Sequence, residues 1–138
     1  KDAIIISDAL SKIGIDVIKT VPPEPVGMIF QFGTTDIEKI VKSLCDTKVC
    51  GLLADSRIPS NAAENGSKLD IGFLRQIIKY SSKPVITAGG INPENVCDFI
   101  EKTKTSFIDV MTGIEKSPGE KDIRMLSELL LAVKKFQP

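Results

Sequence analysis

No histidine occurs anywhere in the 138 residues. That absence removes a Ser-His-Asp triad, an imidazole general base and the usual zinc sites with imidazole ligands. Neither charge sign is in excess: 18 lysines and arginines balance 18 aspartates and glutamates, which argues against a nucleic-acid partner. Long hydrophobic runs are missing too. The longest, Leu129 to Val133, is far too short to span a bilayer, so no membrane partner is expected. Cysteine is scarce. Cys45, Cys50 and Cys97 show no C-x-x-C spacing, and each stands in an apolar or helical context. Buried reduced thiols are expected, with a cytoplasmic location to match.

What remains is an ordinary globular composition, 42% hydrophobic, patterned in short alternating segments. The apolar run Ala3 to Ile6 predicts a strand, and Asp8 to Ile13 a short helix stopped by Gly14. Asp16 to Val21 predicts the next strand, ended by Pro22-Pro23. Pro25 to Phe32 is rich in Val, Met, Ile and Phe and predicts an extended segment. Thr35 and Glu38 have capping-box spacing before a helical stripe of Ile37, Ile40, Val41 and Leu44. Val49 to Ala54 predicts a strand ended by Asp55, and Ser56 to Ser67 a polar exposed loop. Asp70 caps a helix whose apolar stripe is Phe73, Leu74, Ile77 and Ile78, ending near Tyr80. Strand, helix and strand follow over Pro84 to Thr87, Pro93 to Lys102 and Ser106 to Met111. Ile123, Leu126, Leu129, Leu130 and Val133 mark a last amphipathic helix. Alternating strands and helices predict an α/β fold with a parallel sheet, joined by right-handed crossovers. No repeat or linker divides the chain, so residues 1–138 are expected to form a single domain.

The most informative stretch is Pro84 to Asp122. Two short apolar runs end in glycine: Pro84 to Thr87 in Ala88-Gly89-Gly90, and Phe107 to Met111 in Thr112-Gly113. Asn92 can cap free N–H groups of the helix after the first run, and Pro93 suits the first helical position. Glycines past a strand and beside a helix N-terminus let backbone N–H groups approach an anion. A lone Gly-Gly after a strand is more often a tight turn than a ligand site, but the two loops together form a plausible phosphate cradle.

The order Ala88-Gly89-Gly90-Ile91-Asn92-Pro93-Glu94-Asn95-Val96, then Ile108-Asp109-Val110, Thr112-Gly113-Ile114-Glu115, Ser117-Pro118-Gly119 and Lys121-Asp122 closely resembles the C-terminal part of the phosphoribosylanthranilate isomerase family. The resemblance is clearest from Leu52 onward. It implies a TIM (β/α)8 barrel and an enzyme of tryptophan biosynthesis. The implied reaction is the Amadori rearrangement of N-(5-phosphoribosyl)anthranilate to the carboxyphenylamino-deoxyribulose phosphate, by acid–base chemistry without metal or organic cofactor. A closed barrel takes about 200 residues or more. The chain is therefore expected to be a partial barrel lacking N-terminal strands, and by itself inactive.

Barrel enzymes keep their chemistry at the C-terminal ends of strands. Asp55 stands at such an end. A desolvated carboxylate there would suit proton donation, although a turn-capping aspartate fits the same place. The resemblance implies the general acid, since Leu53-Ala54-Asp55 matches a motif whose aspartate has that role. Asp109 alternates away from Ile108 and Val110. It is either at the active-site floor, as the resemblance implies, or a buried partner for a lysine. Gly89, Gly90, Thr112 and Gly113 match loops whose N–H groups hold the substrate phosphate. Asn92 reads as a helix cap, and Lys68 in Gly66-Ser67-Lys68 as a solvated lysine.

The cysteine base of the family stands in an N-terminal K-I-C-G-like strand that has no counterpart here, and the family's substrate-contacting arginine is likewise not found. A non-catalytic phosphate-binding barrel fragment, or a partner subunit, is the alternative. A different phosphate-binding isomerase or epimerase barrel is disfavoured by Ser117-Pro118-Gly119. An open sheet edge also invites a homodimer.

Overall fold

The structure, a computed structural model, describes residues 2–55 and 70–136, and the side chains from residue 5 onward. The predicted loop Ser56 to Ser67 and the Gly66-Ser67-Lys68 segment lie outside the described residues. Among the described residues no helix is long and apolar enough to cross a membrane.

In chain order the elements are α1 (Asp2–Ser11), β1 (Ile18–Val21), α2 (Pro25–Phe32), α3 (Ile37–Cys45), β2 (Gly51–Asp55), α4 (Ile71–Tyr80), β3 (Val85–Ala88), α5 (Val96–Thr103), β4 (Phe107–Asp109), a 3-10 turn (Thr112–Ile114), β5 (Glu115–Ser117), β6 (Glu120–Lys121) and α6 (Ile123–Lys134). The strands β1 to β4 form one sheet in sequential order, and every pair is parallel. A parallel neighbour needs a crossover, and α4 and α5 lie between the paired strands in sequence. The strands β5 and β6 form a separate antiparallel hairpin.

The two faces of the main sheet differ. Val21, Leu52, Ala54, Val85 and Thr87 are buried and alternate to the face that the helices cover. There they share a core with Ile40, Val41 and Leu44 of α3, Phe73, Leu74 and Ile77 of α4, and Val96 and Phe99 of α5. A fully buried side chain of this kind contributes about 1.5–3 kcal/mol. The other face carries Ile18, Leu53, Ile86 and Phe107 in neighbouring register positions. Ile18 is 50% and Phe107 52% exposed. Among the described residues, no helix shares a core with these four side chains.

Three predicted elements are corrected. Ala3 to Ile6 is not a strand but part of the helix α1, which runs through Asp8 to Ser11. A short apolar run does not distinguish strand from helix by periodicity alone. Pro25 to Phe32 is the helix α2 rather than an extended segment. Pro25 opens it, and Gly33 closes it with φ 72° and its N–H on the Ile29 carbonyl, the usual signals of a helix start and stop. Its apolar residues suggested a strand because they lie on both sides: Met28 is buried, whereas Val26 is 81% and Phe30 89% exposed. The cap of α3 is Asp36, whose Oδ1 accepts from Lys39 N–H at 3.1 Å, rather than Thr35. Glu38 pairs with Lys42 instead of reaching back to Thr35.

Candidate functional site

The sheet register sets the C-terminal rim. Asp55 pairs with Ala88, and Ala88 with Asp109. Side chains in one register row of parallel strands project to the same face, here the face opposite the helices. Asp55 and Asp109 therefore flank the start of the Gly89-Gly90 loop from either side. They stand two strand spacings apart, roughly 10 Å. Asp55 is half-buried and Asp109 exposed. Asp109 is thus not a buried partner for a lysine, and among the described residues no ion pair includes it.

Beyond this row the two glycine loops meet. Gly89 and Gly90 have φ 119° and 60°, a region that L side chains avoid. Gly113 lies against the first loop so closely that a Cβ on it would stand 1.8 Å from the Ile91 carbonyl oxygen and 2.7 Å from its carbon. The loops thus pack backbone on backbone. Between them is a cavity of about 30 Å³ lined by Ala88 to Ile91, Asp109 and Met111 to Gly113. It is roomy enough for a water, and its lining joins the glycine loops to Asp109, Met111 and Thr112. Such a mouth suits an oxygen-rich anion held by N–H groups.

The turn that leads into α5 is tied by its own side chains. Asn92 Oδ1 accepts from Glu94 N–H at 2.9 Å and Asn95 N–H at 3.0 Å. Asn95 Oδ1 accepts from Asn92 N–H at 2.9 Å, and Pro93 has no N–H. This is the reciprocal arrangement of a capping box, but it ties the turn over 93–95: α5 itself begins at Val96, with Asn95 at its N-cap position and no side-chain capping bond there, so Asn92 caps the turn before the helix and Pro93 is not its first residue. Asn95 makes one more bond: its Nδ2 donates to the Gly90 carbonyl at 2.9 Å.

The second loop is tied down by the hairpin after it. Lys121 Nζ donates to the Met111 carbonyl at 2.7 Å and to Glu115 at 2.6 Å. The Lys121 ammonium holds the Glu115 carboxyl below its ordinary value. Ile114 is buried, and its carbonyl accepts from Asp122 N–H at 2.8 Å. Asp122 in turn caps α6 through Arg124 N–H and Met125 N–H. Thr112-Gly113 is therefore bracketed by the sheet on one side and by α6 on the other.

All six residues singled out from the sequence (Asp55, Gly89, Gly90, Asp109, Thr112 and Gly113) gather at this one rim. The cysteines do not. Cys45 lies on the outer helix α3 with its Sγ 3.7 Å from Ser81 Oγ. Burial raises its thiol pKa, but bonds to Ser82, Ser81 and Lys83 outweigh that and leave it lowered. Cys97 is on α5 facing α6. Cys50, exposed rather than buried as expected, precedes β2 at the far end of the sheet. All three thiols are free. Sequence reasoning missed Asn95 and Lys121. The Asn92-x-x-Asn95 spacing was a visible signal for the first, whereas nothing local marked Lys121 as reaching Met111. Among the described residues no cluster of acidic or cysteine side chains is placed to hold a metal.

The family model for N-(5'-phosphoribosyl)anthranilate (PRA) isomerase matches residues 15–132. The N-(5'-phosphoribosyl)anthranilate isomerase of Methanopyrus kandleri is 31% identical over 127 residues, covering 92% of this chain and 58% of that protein. The solved isomerase from Pyrococcus furiosus superposes with a TM-score of 0.65 at 26% identity, over 93% of this chain and 56% of the other. That from Thermococcus kodakaraensis gives 0.66 at 25%, over 94% and 57%. The chain thus spans somewhat more than half the length of these relatives, and its sheet and helices follow their α/β, TIM-like fold. With the family model covering most of its length, the chain belongs to the N-(5'-phosphoribosyl)anthranilate isomerase family.

Proposed function

We propose that this chain is the C-terminal part of a (β/α)8 barrel that isomerises N-(5'-phosphoribosyl)anthranilate in tryptophan biosynthesis, in the cytoplasm. The strands β1 to β4 would be half of the barrel, and the apolar face of Ile18, Leu53, Ile86 and Phe107 its interior. The exposed edges of β1 and β4 would take the remaining βα units. Those units could be joined to this chain or supplied by a partner subunit, a second copy of the chain included.

The reading assigns each rim group a task. The Gly89-Gly90 and Thr112-Gly113 loops bind the substrate phosphate through backbone N–H groups and so fix the sugar over the rim. Asp55 is the general acid: it protonates the ring oxygen, and the ring carbon–oxygen bond breaks. A base then takes the proton from the adjacent sugar carbon, giving an enol that becomes the ketone. Asp109 lies at the site floor. This is proton transfer between positioned groups. The base is assigned to the remaining βα units, because Cys45, Cys50 and Cys97 all lie away from the rim.

The observation that carries the proposal is the single register row Asp55–Ala88–Asp109 running into the glycine loops. The test is an isomerisation assay that follows loss of substrate fluorescence, corrected for spontaneous decay. The 138-residue chain alone should be inactive, and the chain joined to the relatives' preceding βα units active. Asp55→Asn in the joined protein should lower kcat about 10²- to 10⁴-fold while largely keeping phosphate-driven binding. Near-normal turnover by that variant would remove Asp55 from the mechanism. Turnover by the short chain would place the base among its own side chains. An inactive joined protein that still binds phosphate would favour the alternative, a non-catalytic phosphate-binding fragment or subunit.

A further inference from the structure

We infer that Asn95 is a positioning residue of the phosphate cradle: its side-chain amide locks the Gly90–Ile91 peptide so that the loop's N–H groups face the cavity. This deepens the phosphate reading above and rests on it. The two asparagines of the turn before α5 do different work. Among the described residues, the Asn92 side chain uses its oxygen as acceptor, from Glu94 N–H and Asn95 N–H. Asn95 uses both ends of its amide. Oδ1 accepts from Asn92 N–H, and Nδ2 donates to the Gly90 carbonyl, each at 2.9 Å.

In a trans peptide the carbonyl and the following N–H point in opposite directions. Holding the Gly90 carbonyl toward Asn95 therefore aims Ile91 N–H the other way. Without that hold the link would be loose, since Gly90 has no Cβ and sits at φ 60°. A released Gly90 carbonyl would also be free to turn toward the cavity, where its oxygen would repel an anion. One residue further on, the Ile91 carbonyl is pinned by the approach of Gly113. The loop is thus held at two consecutive peptides, by Asn95 from the helix and by Gly113 from the neighbouring strand end.

The difference between the two asparagines supplies the test. Asn92→Asp keeps both acceptor bonds, whereas Asn95→Asp keeps its acceptor but loses the donor to Gly90. Each adds one negative charge to the same turn, so the first variant controls for charge. Inorganic phosphate is titrated into the chain while backbone amide signals are followed by NMR. Asn95→Asp should weaken phosphate binding about tenfold, the scale of one lost hydrogen bond, and speed amide exchange at Gly90 and Ile91. Asn92→Asp should stay close to wild type in both. Asn95→Ala, which loses both bonds, should be impaired at least as much as Asn95→Asp. Wild-type affinity in Asn95→Asp, or equal losses in the two aspartate variants, would overturn the inference. If the wild-type chain bound no phosphate, the phosphate reading would fall. The lock itself would then stand or fall on whether Asn95→Asp alone speeds exchange at Gly90 and Ile91.

Discussion

Replacing Gly113 by alanine perturbs the site with a single methyl group. The added Cβ would lie 1.8 Å from Ile91 O, 2.7 Å from Ile91 C and 3.1 Å from Asn92 Cβ. Two of these neighbours are backbone, so no side-chain rotation relieves the clash. An unstrained carbon–oxygen contact is roughly 3.3 Å or longer, so the two loops must part by about 1.5 Å. Neither is free to do so. Ile91 is buried and its loop is held by Asn95, while Ile114 is buried beyond Gly113. Overpacking of this kind costs about 1–3 kcal/mol. The cavity between the loops also changes shape, and misplacing binding groups by an ångström costs about 10²-fold in well-positioned sites. Gly113→Ala should therefore lower the urea midpoint and weaken inorganic phosphate binding about tenfold or more, as read by amide titration. A folded Gly113→Ala protein with an unchanged midpoint and unchanged phosphate affinity would refute the close-packed cradle.

Other perturbations probe the surrounding parts. Gly90→Val puts a β-branched residue at φ 60°, at a backbone cost of about 1–2 kcal/mol. It should abolish calorimetric binding of a sugar-phosphate product analogue, and unchanged affinity in the folded variant would place the cradle elsewhere. Lys121 keeps the Glu115 pKa below its ordinary value. The contribution of this pair is therefore present above the unfolded carboxyl pKa of about 4.3 and is lost as pH falls through the lower folded value. Urea melts should show a smaller stability loss on acidification below about pH 4.5 in Glu115→Gln than in wild type; parallel curves would contradict the tether. Lys83 Nζ donates to the Thr47 and Val49 carbonyls, each at 2.6 Å, at the far end of the sheet. Lys83→Met should cost about 1.5–3 kcal/mol of stability and leave phosphate binding unchanged, and a loss of phosphate affinity would show that the two ends are coupled.

How much the sequence disclosed depended on whether the signal was local. Asp70 is the helix cap that its position predicts, accepting from Phe73 N–H at 2.9 Å. The strand–glycine pairs are legible because apolar β-branched runs that stop at glycine carry their meaning within a few residues. The first half of α1 and the whole of α2 read as extended from sequence because short apolar runs suit either element, whereas the helix predicted from Asp8 overlaps the end of α1. For α2, Pro25 and Gly33 were the better guide than hydrophobicity, since Val26, Ile29 and Phe30 are exposed. The cap of α3 was missed by one residue, because Thr35, Asp36 and Glu38 all carry capping side chains and only the backbone path selects Asp36. At the site, the sequence marked Gly113 as a loop glycine but could not show that it meets the Ile91 carbonyl, a contact between separate loops. The exposure of Asp109 was equally out of reach, since it depends on what covers the apolar sheet face.

The most direct test is a structure of this chain with the ring-opened product in a reduced, unreactive form. The account predicts the phosphate between the Gly89-Gly90 and Thr112-Gly113 loops, within hydrogen-bond distance of their N–H groups, with the Asp55 carboxylate beside the sugar chain. A phosphate bound elsewhere while those loops stay empty, or a sugar directed away from Asp55, would contradict it.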